Sequence, residues 1–108
     1  MNIEYITEKE LSVTRFSSSG PIMVMPYTQR AEAERACENA ARRSGLKEGL
    51  ILAVDDQARK GFIQVANTAF QRTESPWFGY FAQDAYAGRS WLSIATQTLE
   101  TSNASLIA

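Results

Sequence analysis

Three carboxylates in this chain stand where apolar runs give way to turns. Gly-Leu-Ile-Leu-Ala-Val, from Gly49 to Val54, ends on the pair Asp55-Asp56. The aromatic, uncharged run Trp77 to Gln83 reaches a single acid, Asp84, and then passes through a turn holding Gly88 into a helical pattern. In an open parallel sheet the carboxyl ends of the strands share one edge, and crevices at that edge bind ligands. Here the edge collects Pro26-Tyr27-Thr28, Asp55-Asp56 and Gln83-Asp84-Ala85-Tyr86. Acids gathered there repel one another unless a cation, a ribose hydroxyl or a donor side chain satisfies them. Asp also forms turns and caps helices without any ligand, so both roles stay open for Asp55 and Asp56. Arg89, near the start of a helical pattern, either meets a phosphate at the helix N-terminus or stays solvated. Tyr27 either stacks on a base or covers the sheet edge.

The elements that must position these residues alternate. Ile22 to Met25 is an apolar run bounded by Pro21 and Pro26, with neither proline inside it, which allows a strand. Apolar residues on both of its faces suit a central parallel strand. A helix is expected from about Gln29 to Ser44, because Ala33, Ala36, Cys37, Ala40 and Ala41 recur at the spacing of one helix face. Thr28 is its expected N-cap and Gly45 its C′ residue. Cys37 is a small core residue on that face, with no His in the chain to activate it. Gly49 to Val54 is a second strand. Gly61 to Thr73 returns to helical period, with Phe62, Val65, Ala66, Ala69 and Phe70 on one face, and Ser75-Pro76 stops it. Trp77 to Ala82 is a third strand whose aromatic residues are expected in the core. Trp91, Leu92, Ala95 and Leu99 mark a helix from Ser90 to Thr101, and Ala104 to Ala108 reads as the start of a fourth strand. Met1 to Phe16 carries the weakest pattern. Leu11, Val13 and Phe16 suggest either an edge strand or a surface arm, with Ser17 to Pro21 a loop.

Strands alternating with helical patterns imply an α/β fold, a parallel sheet with right-handed crossovers. One domain is expected from 108 residues, with residues 1–21 an N-terminal arm or edge strand and 22–108 the α/β body, cut short at its C-terminus. Net charge is −1, from eleven basic and twelve acidic residues mixed along the chain, which argues against nucleic acid as a partner. The absence of His and the single Cys37 remove the usual transition-metal ligands, so any metal is a hard cation such as Mg²⁺ or Mn²⁺ held by carboxylates. No apolar run approaches the ~20 residues of a membrane span, and no signal peptide is evident, so a cytoplasmic protein is expected.

Leu-Ile-Leu-Ala-Val-Asp-Asp resembles the first strand of phospho-acceptor receiver domains. Those need a Lys after their last strand, and Lys9, Lys47 and Lys60 all precede the third strand here, which excludes that reading. An ordered series of four stretches is similar instead to nucleotide-sugar glycosyltransferases of the A-type fold. Met23 to Arg30 resembles that family's Pro-x-x-x-Arg opening, with Gln29 where an Asn usually precedes the Arg. Leu50 to Asp56 resembles its second strand, and Val65 to Phe70, around Asn67, its Ala-x-Asn-x-Gly-type helix. Tyr80 to Ala85, followed by Trp91-Leu92, looks like its Asp-x-Asp metal strand and trailing helix.

The resemblance covers Ile22 to Ala108 and implies a Rossmann-like, three-layer α/β half with a mostly parallel sheet and helices on both faces. It implies a nucleotide site made of Pro26, Tyr27, Asp55, Asp56, Asn67, Asp84 and Arg89, with Asp84 holding Mg²⁺ or Mn²⁺ against a UDP- or GDP-linked sugar. Only one acid remains at Gln83-Asp84-Ala85-Tyr86, and the acceptor-binding half with its catalytic base is absent, so catalytic residues are not assigned. The competing expectation is a non-enzymatic α/β module that forms a homodimer, or binds a partner, through its C-terminal strand.

Overall fold

The computed structural model describes residues 1–83 and 88–102. Four strands form one parallel sheet: β1 (Asn2–Thr7), β3 (Ile22–Tyr27), β4 (Leu50–Asp55) and β6 (Phe78–Tyr80), in the spatial order β1-β4-β3-β6. Two-residue strands β2 (Phe16–Ser17) and β5 (Thr73–Glu74) make a separate parallel pair. The helices are α1 (Glu8–Val13), α2 (Arg30–Arg42), α3 (Phe62–Gln71) and α4 (Trp91–Ser102). This is the expected α/β class with a parallel sheet, compatible with a Rossmann-like fold. No helix among the described residues is long and apolar enough to cross a membrane.

The pleat of β3 and β4 sorts the core. Met23, Met25 and Tyr27 with Ile51 and Ala53 pack against Ala33, Ala36, Cys37 and Ala40 of α2 and Leu92 of α4. Ile22 and Val24 with Leu50, Leu52 and Val54 pack on the other side against Leu11 of α1 and Val65 and Ala69 of α3. Both strands are apolar at every buried position because both faces are covered. The small side chains of α2 let it lie close to the sheet, over the short Ala53.

Several expectations are corrected. Pro26 lies inside β3 rather than bounding it. Peptide groups along a strand face alternate neighbours. The carbonyls of Pro21 and Tyr27 accept from Leu50 and Asp56 on the β4 side, whereas Ile22 donates to Trp77 and Val24 accepts from Phe81 on the β6 side. Residue 26 therefore faces the β6 side, one rung past the last bond of that ladder. A residue with no N–H fits there, and β6 stops at Tyr80.

The first sixteen residues are not an arm with Leu11, Val13 and Phe16 in one strand. Residues 2–7 pair along their whole length with β4, and Leu11 is a fully buried residue of α1, while Val13 is exposed. Polar and apolar residues alternate from Asn2 to Tyr5, with Ile3 and Tyr5 on one face of the sheet, and Ile6 packs on the other. Thr7 and Glu10 then exchange side-chain-to-backbone bonds in a capping box, which turns the chain into α1.

The third strand is shorter than Trp77 to Ala82, and its aromatic residues are not deep core. Tyr80 is exposed and Trp77, Phe78 and Phe81 are half-buried, because β6 is the other edge of the sheet. Phe70 is exposed too, resting edge-on against Phe78. The N-cap of α2 is Gln29, not Thr28, and its C-cap is Arg43, so Gly45, whose φ is 78°, stands one residue past the C′ position expected for it. The expected strand at Ala104 to Ala108 lies outside the described residues.

Candidate functional site

The turns after β3 and β4 leave the sheet in opposite directions. β3 leads into α2 on one face and β4 leads into α3 on the other, although the two strands are neighbours. Adjacent strands whose connections diverge leave a crevice between them at the carboxyl edge, the usual ligand position in open α/β sheets. A hollow of about 440 Å³ occupies that place, within the range of roughly 300–1,000 Å³ typical of small-ligand sites. Pro26, Tyr27 and Thr28 line it from β3 and its turn, and Glu32 lines it from the first turn of α2. Asp56 and Phe62 come from the β4–α3 connection, and Ala82 and Gln83 from the segment after β6.

Asp56 is buried, and its two carboxylate oxygens accept the backbone N–H groups of Lys60 and Gly61 at 2.9 and 3.1 Å. Its own N–H donates to the Tyr27 carbonyl at 2.8 Å, which ties the loop to β3. The carboxylate thus organises the entry to α3, and each oxygen keeps one lone pair for a further donor. Asp55 is different. It ends the strand half-exposed, accepts from Gln57 Nε2, at 2.6 Å, and does not line the crevice.

Gln83 performs a task that its sequence position does not reveal. Its Oε1 accepts the N–H groups of Thr28 at 3.1 Å and Gln29 at 3.4 Å. Gln29, the N-cap of α2, makes no side-chain cap, and the Gln83 amide, 54 residues away, accepts the N–H of Gln29 and of the residue before it. Free N–H groups at a helix start need acceptors, and this one is supplied through tertiary structure.

Tyr27 is not available to stack on a base. Its ring is buried, edge-on to Tyr5 with centroids 6.5 Å apart. The Arg30 guanidinium lies 3.8 Å above the Tyr5 ring, donates to Glu34 Oε1 at 2.9 Å and approaches the Tyr27 hydroxyl at 3.4 Å. The bond to Glu34, and then that to Tyr27, raises the pKa of Arg30. The arginine of the Pro-x-x-x-Arg stretch therefore clamps α2 to β1 and β3. Burial, and secondarily the neighbouring Cys37, pushes the Tyr5 hydroxyl up to about 12, and burial pushes the Cys37 thiol up to about 12. Cys37 contacts Met25 Sδ at 3.8 Å and is packing, as expected.

No protein-family model, curated protein or solved structure matches this chain.

Of the residues expected at the site, the structure brings together Pro26, Tyr27 and Asp56. Asn67 is exposed on α3 and borders a separate open hollow with Ile63 and Gln71. Arg89 lies with Arg42 and Arg43 where α2 ends. That helix starts at the carboxyl edge and returns the chain to the start of β4, so Arg89 is at the opposite edge from Asp56. Asp84 lies outside the described residues. Among those residues no group of three or more His, Cys, Asp or Glu is placed to hold a metal ion. Among the described residues the crevice lining carries two carboxylates, Glu32 and Asp56, and no cationic side chain. Those two acids supply fewer oxygens than the roughly six a Mg²⁺ ion needs. Phe62 was expected only as part of a buried helix face. It borders the crevice, edge-on to Tyr80 with centroids 4.9 Å apart. No local signal in the sequence marks it as a lining residue, whereas Gln83 stands on the expected sheet edge.

Proposed function

We propose that this chain is the nucleotide-sugar-binding part of a glycosyltransferase-like protein of the A-type, three-layer α/β fold, acting in the cytoplasm and incomplete as an enzyme by itself. The crevice between the β3 and β4 turns carries this reading. Phe62 offers a flat apolar wall for a base, and the free lone pairs of Asp56 accept ribose hydroxyls. Because the lining is acidic, a diphosphate enters only with a divalent cation, Mg²⁺ or Mn²⁺, between it and the carboxylates. Ligand phosphates and Asp84 complete that ion's shell.

Titration calorimetry with UDP- and GDP-sugars, with and without Mn²⁺, tests this. Binding that requires Mn²⁺ and shifts the amide resonances of Thr28, Gln29 and Asp56 is expected. A folded sample that gives no heat and no shifts with any of these ligands removes the proposal.

A second reading, a non-enzymatic module that self-associates or binds a partner, rests on the β6 edge. Tyr80 and Phe70 are exposed there on two uncharged segments, 61–71 and 75–83, apart from Arg72 and Glu74 between them. Light scattering showing a monomer at high micromolar concentration counts against self-association.

A further inference from the structure

A second site stands at the amino edge of the sheet, away from the crevice and independent of the reading above. There the end of α2 meets the start of α4. The Trp91 N–H donates to the Arg43 carbonyl at 3.2 Å and the Ser93 N–H to the Ser44 carbonyl at 2.9 Å. The Trp91 indole Nε1–H donates to the Ala40 carbonyl at 2.8 Å. Unpaired carbonyls at one helix end are thus satisfied by N–H groups at the start of another. Gly45 has φ of 78°, and a Cβ there would lie 2.7 Å from Ser93 Oγ. Ser90 has φ of 57°, a conformation uncommon for residues other than glycine. The two segments are held in a tightly specified joint.

That joint brings Arg42, Arg43 and Arg89 around one hollow of about 300 Å³, with no acidic residue among the described residues that line it. All three residues are exposed, and none has an ion-pair partner among the described residues. Arg15 and Arg30, by contrast, each meet a glutamate. Three cations around one small concavity repel each other, and an anion that bridges them relieves that repulsion. The guanidinium fork matches the oxygens of a phosphoryl group in paired bonds. We infer that Arg42, Arg43 and Arg89 form a binding site for a small phosphorylated ligand, one bearing a phosphate monoester or diphosphate. A nucleic-acid face is a poorer fit, since the rest of the chain mixes acids and bases and its net charge is −1.

The test uses the intact chain with inorganic phosphate and pyrophosphate, against sodium chloride at matched ionic strength. A saturable rise in Tm is expected with both, with pyrophosphate saturating at the lower concentration. Arg43→Gln and Arg89→Gln each weaken binding about tenfold, the effect of losing one charged hydrogen-bond partner. Arg89→Lys, which keeps the charge and loses the fork, falls between, and Arg15→Gln leaves affinity unchanged. A Tm rise no larger than that with chloride overturns the site, as does unchanged affinity in Arg43→Gln. A single-stranded oligonucleotide that binds more tightly than pyrophosphate, and is lost in the same variants, overturns the small-ligand assignment.

Discussion

Gln83 and Asp56 are polar residues of the crevice whose first partners are backbone amides. Gln83 reaches across from the segment after β6 to the Thr28 and Gln29 amides just ahead of α2, and Asp56 gathers the amides of Lys60 and Gly61 just ahead of α3. Each thereby couples one of the two diverging turns to the body of the domain. Truncating Gln83 leaves the Thr28 and Gln29 N–H groups to water. Gln83→Ala is therefore expected to cost about 1 kcal/mol, the usual net worth of a hydrogen bond. Urea unfolding followed by circular dichroism measures it, and a midpoint equal to that of the parent chain would show that the bond contributes nothing. The resemblance to glycosyltransferases puts an acid near this position. The amide instead lets the side chain accept from the helix without adding a third negative charge beside Glu32 and Asp56.

Among the elements, α1 and α4 depend most on their ends. α1 has only six residues, too few to be stable alone. It persists because Thr7 and Glu10 close a capping box at its start and Leu11 is fully buried beneath it. Thr7→Ala opens that box and is expected to lower stability by about 1 kcal/mol. Hydrogen exchange gives the sharper readout: amides of residues 8–13 should exchange much faster, while those of β4 accelerate only in proportion to the loss of global stability. Equal acceleration everywhere would show that α1 does not open by itself. α4 is joined to the body through Trp91, Leu92 and Ser93, where one helix start meets another helix end. β6 is short for a reason that lies in its neighbour, because Pro26 has no N–H with which to extend the ladder.

For the whole molecule, the layer between α2 and the sheet sets a response to alkali. The Cys37 thiol is raised from 9.0 to about 12 and the Tyr5 hydroxyl from 10.0 to about 12, both chiefly by burial. The folded chain holds these protons more tightly than the unfolded chain does. Above pH 9 the unfolded state releases the Cys37 proton first and is favoured by doing so. Stability is therefore whole below pH 9 and falls as pH rises toward 12, with Tyr5 adding to the fall above pH 10. Urea midpoints between pH 8 and 11 measure this. In Cys37→Ala the decline should begin nearer pH 10 than pH 9, and an onset that does not move would remove Cys37 from the account.

Much of the architecture was written locally. The apolar runs at Ile22 to Met25 and Leu50 to Val54, and the alanine stripe of α2, state their element and their burial through spacing alone, because hydrophobic periodicity is a property of consecutive residues. The strand Asn2–Thr7 and the Thr7–Glu10 capping box were not read, because the exposed polar residues of an edge strand and adjacent Tyr5 and Ile6 blur its pattern. Asp55 and Asp56 show where this stops. They are adjacent acids of one type, yet one ends a strand beside Gln57 and the other folds inward onto Lys60 and Gly61. Arg89 reads as a helix-start residue wherever its helix lies, and only the docking of α4 on the end of α2 sets it beside Arg42 and Arg43. The sequence by itself determined the α/β class, the central strands and the buried face of α2, since these follow from the order of apolar and polar residues along the chain. Strand order, the divergence of the β3 and β4 turns, and the partners of Gln83, Asp56 and Arg89 were decided by tertiary structure, because each depends on segments that are distant in sequence coming within a few ångströms of one another.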